Sequence, residues 1–95
     1  MPIPDAFRVL CRSFYQGVGE IYSSADEIIR SAVNELTAEQ KQIVKGYIDE
    51  LTSGEYDEER LWNIWEEAGA RIRITDGTPG MSARFLGMIR AVLEN

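Results

Sequence analysis

Histidine is absent from this 95-residue chain, and cysteine occurs once, as Cys11. Without histidine there is no Ser-His-Asp or Cys-His catalysis, no histidine-based zinc site and no pH switch of the usual kind. A single cysteine excludes an intramolecular disulfide. We expect Cys11 to be buried, because its neighbours Leu10 and Phe14 are apolar.

Long apolar runs and a surplus of basic residues are also missing. No run approaches the ~20 residues of a membrane span, and the N-terminus lacks the basic and apolar regions of a secretory signal. These features predict a cytoplasmic protein that does not act at a membrane. The net charge of −6 argues against nucleic-acid binding. The glycine-rich stretch 77–80 lacks the lysine of a phosphate loop, so we expect no cofactor.

What the chain does contain is apolar residues at helical spacing. Its length and its 44% hydrophobic content are those of one globular domain, residues 1–95. Apolar stripes with a period of three to four residues predict four or five helices. N-cap candidates precede these stripes at five places: Asp5, Ser24, Thr37, Asp57 and Ser82.

The pattern changes between residues 70 and 81. Residues 70–75 alternate polar and apolar side chains, which is the period of a strand with one buried face. Residues 76–80 are rich in turn formers, and residues 80–82 could supply a short second strand. The predicted fold is therefore mainly α: a single small domain of four or five helices with a short strand or β-hairpin near residues 70–81.

Negative charge is concentrated in the segment from Asp49 to Glu67, which we call the acidic segment. It holds eight carboxylates and one base, Arg60, so it carries −7 while the rest of the chain is close to neutral. It also contains both tryptophans, Trp62 and Trp65. A negative field beside large aromatic side chains is typical of a surface that receives a basic partner.

Part of this charge has a structural explanation. Residues 57–59 lie at a predicted helix start, where the positive end of the helix dipole stabilises carboxylates. Asp49 and Glu50 instead fall in the last turn of one predicted helix, and Glu66 falls near the end of the next. Negative charge is unfavourable at those ends. These carboxylates are therefore the more informative ones for a binding function.

The two tryptophans are three residues apart and lie on nearby parts of one helix face. We expect Trp65 to be in the core and Trp62 to be an exposed anchor for a partner. Adjacent glutamates occur at residues 58–59 and 66–67, on a polar helix side, so we predict no catalytic residue, no metal site and no enzyme. The predicted partner-binding residues are Asp49, Glu50, Glu55, Asp57, Glu58, Glu59, Trp62 and Glu66.

The order of five short segments resembles small bacterial immunity proteins of contact-dependent growth inhibition (CDI) systems. The segments are Phe14-Tyr15-Gln16, the box from Ser24 to Glu27, Ile48-Asp49-Glu50-Leu51, Glu58-Glu59-Arg60-Leu61, and a last helix with Phe85-Leu86, Ile89-Arg90 and Leu93. One departure is Gly17, where such proteins carry an aspartate. The resemblance implies a cytoplasmic protein that binds and blocks a cognate toxin domain, often a nuclease with a basic surface.

Three hypotheses follow. The leading one is a non-enzymatic binding protein that neutralises a basic, nuclease-like toxin domain through its acidic surface. The alternative is a helical adaptor or regulatory subunit that acts as a homodimer through the Trp62/Trp65 face. The third is a small enzyme with a carboxylate site. The sequence predicts no particular oligomeric state.

Overall fold

The computed structural model describes residues 3–14, 24–71 and 78–94. Within these ranges the chain forms five helices, which confirms the mainly α prediction. In chain order they are α1 (Asp5–Cys11), α2 (Ala25–Asn34), α3 (Ala38–Leu51), α4 (Glu58–Glu67) and α5 (Met81–Glu94). Helix α5 packs against α2, α3 and α4, and α1 packs against α2 and α3.

Three of the predicted N-caps are confirmed. The Ser24 hydroxyl accepts the amide three residues later at 3.2 Å, and the Asp57 carboxylate does the same at 2.8 Å. Thr37 and Gln40 form a complete capping box, with hydrogen bonds of 3.1 and 2.9 Å. These local bonds satisfy amides that have no partner inside their helices, so they fix where α2, α3 and α4 begin.

Two other predicted caps are wrong, because both residues lie inside their helices. Asp5 is the first residue of α1, and Pro4 occupies the N-cap position. Ser82 lies inside the first turn of α5 and is only 1% exposed. The helix begins earlier because the amide of Met81 donates to the carbonyl of Thr78 at 3.1 Å. The Ser82 side chain is thereby turned inwards, where it cannot cap its own helix.

The predicted β-hairpin is not found in the described part of the chain. Residues 80–82, proposed as one strand, form the turn and first residues of α5. The other strand was predicted for residues 70–75, and Ala70 and Arg71 are not in a strand. Residues 72–77 lie outside the described ranges, so the rest of that prediction stays a prediction.

The core is centred on Trp65, which is 2% exposed, as predicted. Its ring makes edge-to-face contacts with Phe14 at 4.8 Å, Phe85 at 5.7 Å and Phe7 at 6.4 Å between centroids. Phe7 in turn meets Tyr47 at 5.0 Å. Rings from α1, from the segment after it and from α5 therefore surround the single tryptophan of α4, and this geometry adds to the stabilisation from their burial.

Other apolar residues divide between the core and the surface. Cys11 is buried as predicted, and burial raises the pKa of its thiol. Ile43, which helical spacing places on the apolar side of α3, is nevertheless 44% exposed, and Met88 is 43% exposed. In the described ranges, no helix has the combined length and apolar character needed to cross a bilayer.

Candidate functional site

The acidic segment is attached to α5 at two points. The Glu58 carboxylate accepts a hydrogen bond from the Ser82 amide at 2.9 Å and a second one from the Ser82 hydroxyl. The Asp49 carboxylate binds the guanidinium of Arg90, with one of its two hydrogen bonds at 3.3 Å. Ser82 and Arg90 are eight residues apart on α5, about 12 Å along its axis.

The Asp49 contact belongs to a small network of charges between α3 and α5. Arg90 also binds Glu94, and Lys45 reaches Glu94 at 3.1 Å. Hydrogen bonds from Arg90 and Lys45 lower the pKa of Glu94, and those from Arg90 to Asp49 and Glu94 raise the pKa of Arg90. The position of Asp49 near the end of α3 thus has an explanation within the fold. Its role in partner binding stays a prediction.

Asp57 and Glu58 likewise have roles inside the fold. Asp57 caps α4, as described above. Glu58 is half-buried and places its carboxylate at the first turn of α5, where it accepts an amide hydrogen bond and lies near the positive end of the helix dipole. The sequence predicted the acids of this region to stabilise α4; Glu58 also stabilises the start of a different helix.

The outward side of α4 carries three of the five remaining candidates, namely Glu59, Trp62 and Glu66. We define the acidic α4 face as Glu59, Trp62, Asn63 and Glu66, which helical spacing places on one side. Glu59 and Glu66 are exposed, and within the described ranges neither has an ion pair. Glu55, in the loop before α4, is also exposed. This face is therefore where the acidic segment exposes charge to solvent.

Trp62 and Trp65 have different environments. Trp62 is half-buried and packs against the edge of the core, so it is less exposed than the predicted anchor. Trp65 is buried. It therefore cannot contribute to a homodimer interface formed by the Trp62/Trp65 face, which the alternative hypothesis requires. Only Trp62 offers indole surface beside the carboxylates of α4.

Two adjoining shallow depressions lie along the C-terminal half of the acidic α4 face, and both include Glu66 and Arg71. The side chains and backbone that line them belong to Trp62, Asn63, Glu66, Glu67, Ala70 and Arg71. The amide of Arg71 donates to the carbonyl of Phe14 at 2.7 Å, which anchors this end of the surface to the segment after α1. Arg71 lines both depressions beside Glu66, but the two side chains form no ion pair in the described part of the chain.

A second group of residues lies within and beside the acidic segment, and of these the sequence predicted a binding role only for Glu50. Burial raises the pKa of Tyr47, and the nearby Tyr56 and Glu50 act in the same direction. Glu50 is half-buried at this position. The guanidinium of Arg60 lies 4.9 Å from the ring centroid of Tyr56. The four-residue spacing of Tyr56 and Arg60 was the sequence signal for this contact, because side chains four apart are neighbours on a helix. Tyr56 itself lies before the first residue of α4.

The groups that the acidic α4 face exposes determine which kind of ligand chemistry it favours. Carboxylates, an amide and part of an indole face solvent, and they suit ammonium or guanidinium groups better than anions. Within residues 3–14, 24–71 and 78–94, no group of three acidic or cysteine side chains is arranged to hold a metal ion. Comparison with protein-family models, curated proteins and solved structures finds no match for the chain.

Proposed function

We propose that this protein is a non-enzymatic binding protein whose acidic α4 face receives a basic protein domain. The resemblance to CDI immunity proteins makes that partner a toxin domain, nuclease-like in its basic surface, which the protein neutralises in the cytoplasm. One observation carries the proposal: Glu59 and Glu66 flank the half-buried Trp62 on one exposed helix face, with no ion pair in the described part of the chain.

The physical role of each group follows from its environment. Exposed carboxylates attract a basic surface over a distance of about 8 Å at physiological salt and so raise the rate of association. Trp62 supplies apolar contact area in the middle of these charges, as anchor residues do at protein interfaces. Asp49, Asp57 and Glu58 add to the field, but their carboxylates are already engaged within the fold.

The test measures binding to the C-terminal domain of a large protein encoded immediately upstream of this gene, which is where a CDI toxin would be encoded. In low salt we expect the double variant Glu59→Lys/Glu66→Lys to bind at least about tenfold more weakly than the unmodified chain. Trp62→Ala should weaken binding as well, mainly through faster dissociation. Co-expression of the unmodified protein should relieve toxicity of that domain.

The matched control is Glu35→Lys/Glu39→Lys. It changes the net charge by the same amount at two exposed positions away from α4, so it should leave most of the affinity intact. Equal weakening by both double variants would assign the effect to net charge and contradict a localised site. Full affinity after charge reversal on α4 would remove this face from the interface, and no binding at all would overturn the toxin-binding proposal.

A further inference from the structure

The C-terminal end of α4 is held in place by backbone hydrogen bonds. Gly69 has a φ of 112°, which suits glycine, and its amide donates to the carbonyl of Glu66 at 3.1 Å. The amide of Ala70 donates to the carbonyl of Trp65 at 3.4 Å, so the helix ends in a Schellman motif. The chain therefore leaves α4 in a direction that its own backbone fixes.

Arg71 is the first exposed residue after this turn. Its backbone is held on both sides, because Ala70 is buried and the Arg71 amide donates to the carbonyl of Phe14 at 2.7 Å. Arg8 of α1 holds the same end of α4 by donating from its guanidinium to the carbonyl of Glu67 at 3.2 Å. The Arg71 side chain thus starts from a fixed point beside the acidic α4 face.

Glu66 and Arg71 carry opposite charges and line the same two depressions, yet they form no ion pair with each other. In the described part of the chain the Glu66 carboxylate has no partner. The Arg71 guanidinium has one long contact, from Nη1 to the carbonyl of Ala70 at 3.5 Å, and a guanidinium has five N–H donors. Both groups therefore keep most of their bonding capacity for another molecule.

The depressions suit side chains of a protein better than a small-molecule ligand. Their volumes are about 340 and 240 Å³, at or below the lower end of the ~300–1,000 Å³ that small-molecule pockets occupy. Trp62 lines the smaller depression together with Glu66. An aromatic ring and a carboxylate both attract a lysine or arginine side chain, whereas Arg71 attracts a carboxylate.

We propose that Arg71 determines specificity at this surface. The depressions receive a lysine or arginine of the partner at Glu66 and Trp62, and an aspartate or glutamate of the same partner at Arg71. The proposal rests on the proposed function, in which a protein domain covers the acidic α4 face. Covering the face removes water from Arg71, and a guanidinium that loses water without gaining an acceptor weakens the complex. A uniformly basic surface is therefore disfavoured relative to one that carries a carboxylate beside its cation.

Arg71→Gln separates this proposal from attraction by net charge. The substitution keeps a polar side chain and makes the chain more negative by one charge. Titration calorimetry measures its binding to the toxin domain encoded immediately upstream of this gene. We expect affinity to fall at least about fivefold, because the partner's carboxylate loses its charged donor. A uniformly basic partner would instead bind the more negative variant more tightly.

Poly-L-lysine is the second probe, because its side chains carry no carboxylate. In low salt, Arg71→Gln should bind it about twofold more tightly than the unmodified chain, since a repelling cation is removed. Arg84→Gln is the matched control. Arg84 is also exposed and without an ion pair in the described ranges, and it lines neither depression. It should change the affinity for both probes slightly and in the same direction. Circular dichroism checks that each variant is folded.

Opposite responses of Arg71→Gln to the two probes, absent from Arg84→Gln, support the proposal. An Arg71→Gln chain that binds the toxin domain as tightly as the unmodified chain, or more tightly, overturns the role of Arg71 and leaves the proposed function intact. Weaker binding of both probes would assign the effect to a disturbed end of α4 and overturns it as well. If the unmodified chain does not bind the toxin domain, the proposed function fails, and the specificity proposal fails with it.

Discussion

Glu58 and Glu59 are neighbours in the sequence, yet they belong to different regions of the molecule. Glu58 is half-buried and holds the first turn of α5 through Ser82, whereas Glu59 is exposed on the acidic α4 face. Successive residues of a helix point about 100° apart, which is enough to separate a fold-stabilising carboxylate from a surface one. The number of charged residues in a stretch of sequence therefore does not give the charge that the folded surface exposes.

The same division separates Asp49 from Glu66. Both lie near the C-terminal end of a helix, where a carboxylate opposes the dipole. Asp49 is compensated by Arg90 across the α3–α5 contact, but Glu66 has no ion pair in the described ranges. The acidic segment thus has an inner part that holds helices together and an outer part that is exposed to solvent.

The largest predicted difference in stability is between variants of the two tryptophans, because Trp65 lies in the core and Trp62 at its edge. Trp65→Ala removes the ring at the centre of the aromatic core and should lower the free energy of unfolding by about 3–5 kcal/mol. Trp62→Ala should have a clearly smaller effect, because that side chain is half-buried at the core edge. Urea denaturation measures both. Equal losses would show that Trp62 is as much a core residue as Trp65.

A smaller effect should separate the neighbouring glutamates. Glu58→Ala leaves the buried Ser82 hydroxyl and an α5 amide without their acceptor, so we expect a loss of about 1–3 kcal/mol in the free energy of unfolding. Glu59→Ala should change it by less than about 0.5 kcal/mol. Both residues are in the first turn of α4, so each substitution removes a similar favourable interaction with the α4 dipole. Equal losses would contradict the Glu58–Ser82 contact as the cause.

The sequence predicts the features that depend on near neighbours. The caps at Ser24, Thr37 and Asp57 involve residues three apart, and the enclosed position of Trp65 follows from the apolar stripe of one helix. Contacts between distant segments leave no such signal. Glu58 and Ser82 are 24 residues apart, and Asp49 and Arg90 are 41 apart.

Incorrect predictions of which side chains are exposed have a related cause. The α3 stripe gives an apolar side, but neighbouring helices decide how much of that side is covered. Ile43 lies beyond the covered part and is exposed. Similarly, the positions of Glu59 and Glu66 on one face follow from their spacing, whereas the engagement of Asp49 and Glu58 depends on how α5 is docked.

The smallest predicted effect concerns the charges at the α3–α5 contact and depends on pH. Hydrogen bonds from Arg90 and Lys45 lower the pKa of Glu94 in the folded protein. A carboxylate with a lowered folded-state pKa stabilises the fold above its unfolded-state pKa, and this contribution is lost as the pH falls through the folded-state value. The difference in urea midpoint between the unmodified chain and Glu94→Gln should therefore be present at neutral pH and shrink in acid.

The titration of Glu94 itself gives the more direct measurement, because the contribution to stability from such exposed groups is small and falls with added salt. Carboxyl NMR of the unmodified chain should place its pKa below the ordinary glutamate range, and Lys45→Met should raise it by removing one of the two hydrogen-bond donors. If Glu94 titrates in the ordinary glutamate range and Lys45→Met leaves its pKa unchanged, the contacts of Glu94 with Arg90 and Lys45 do not form in solution.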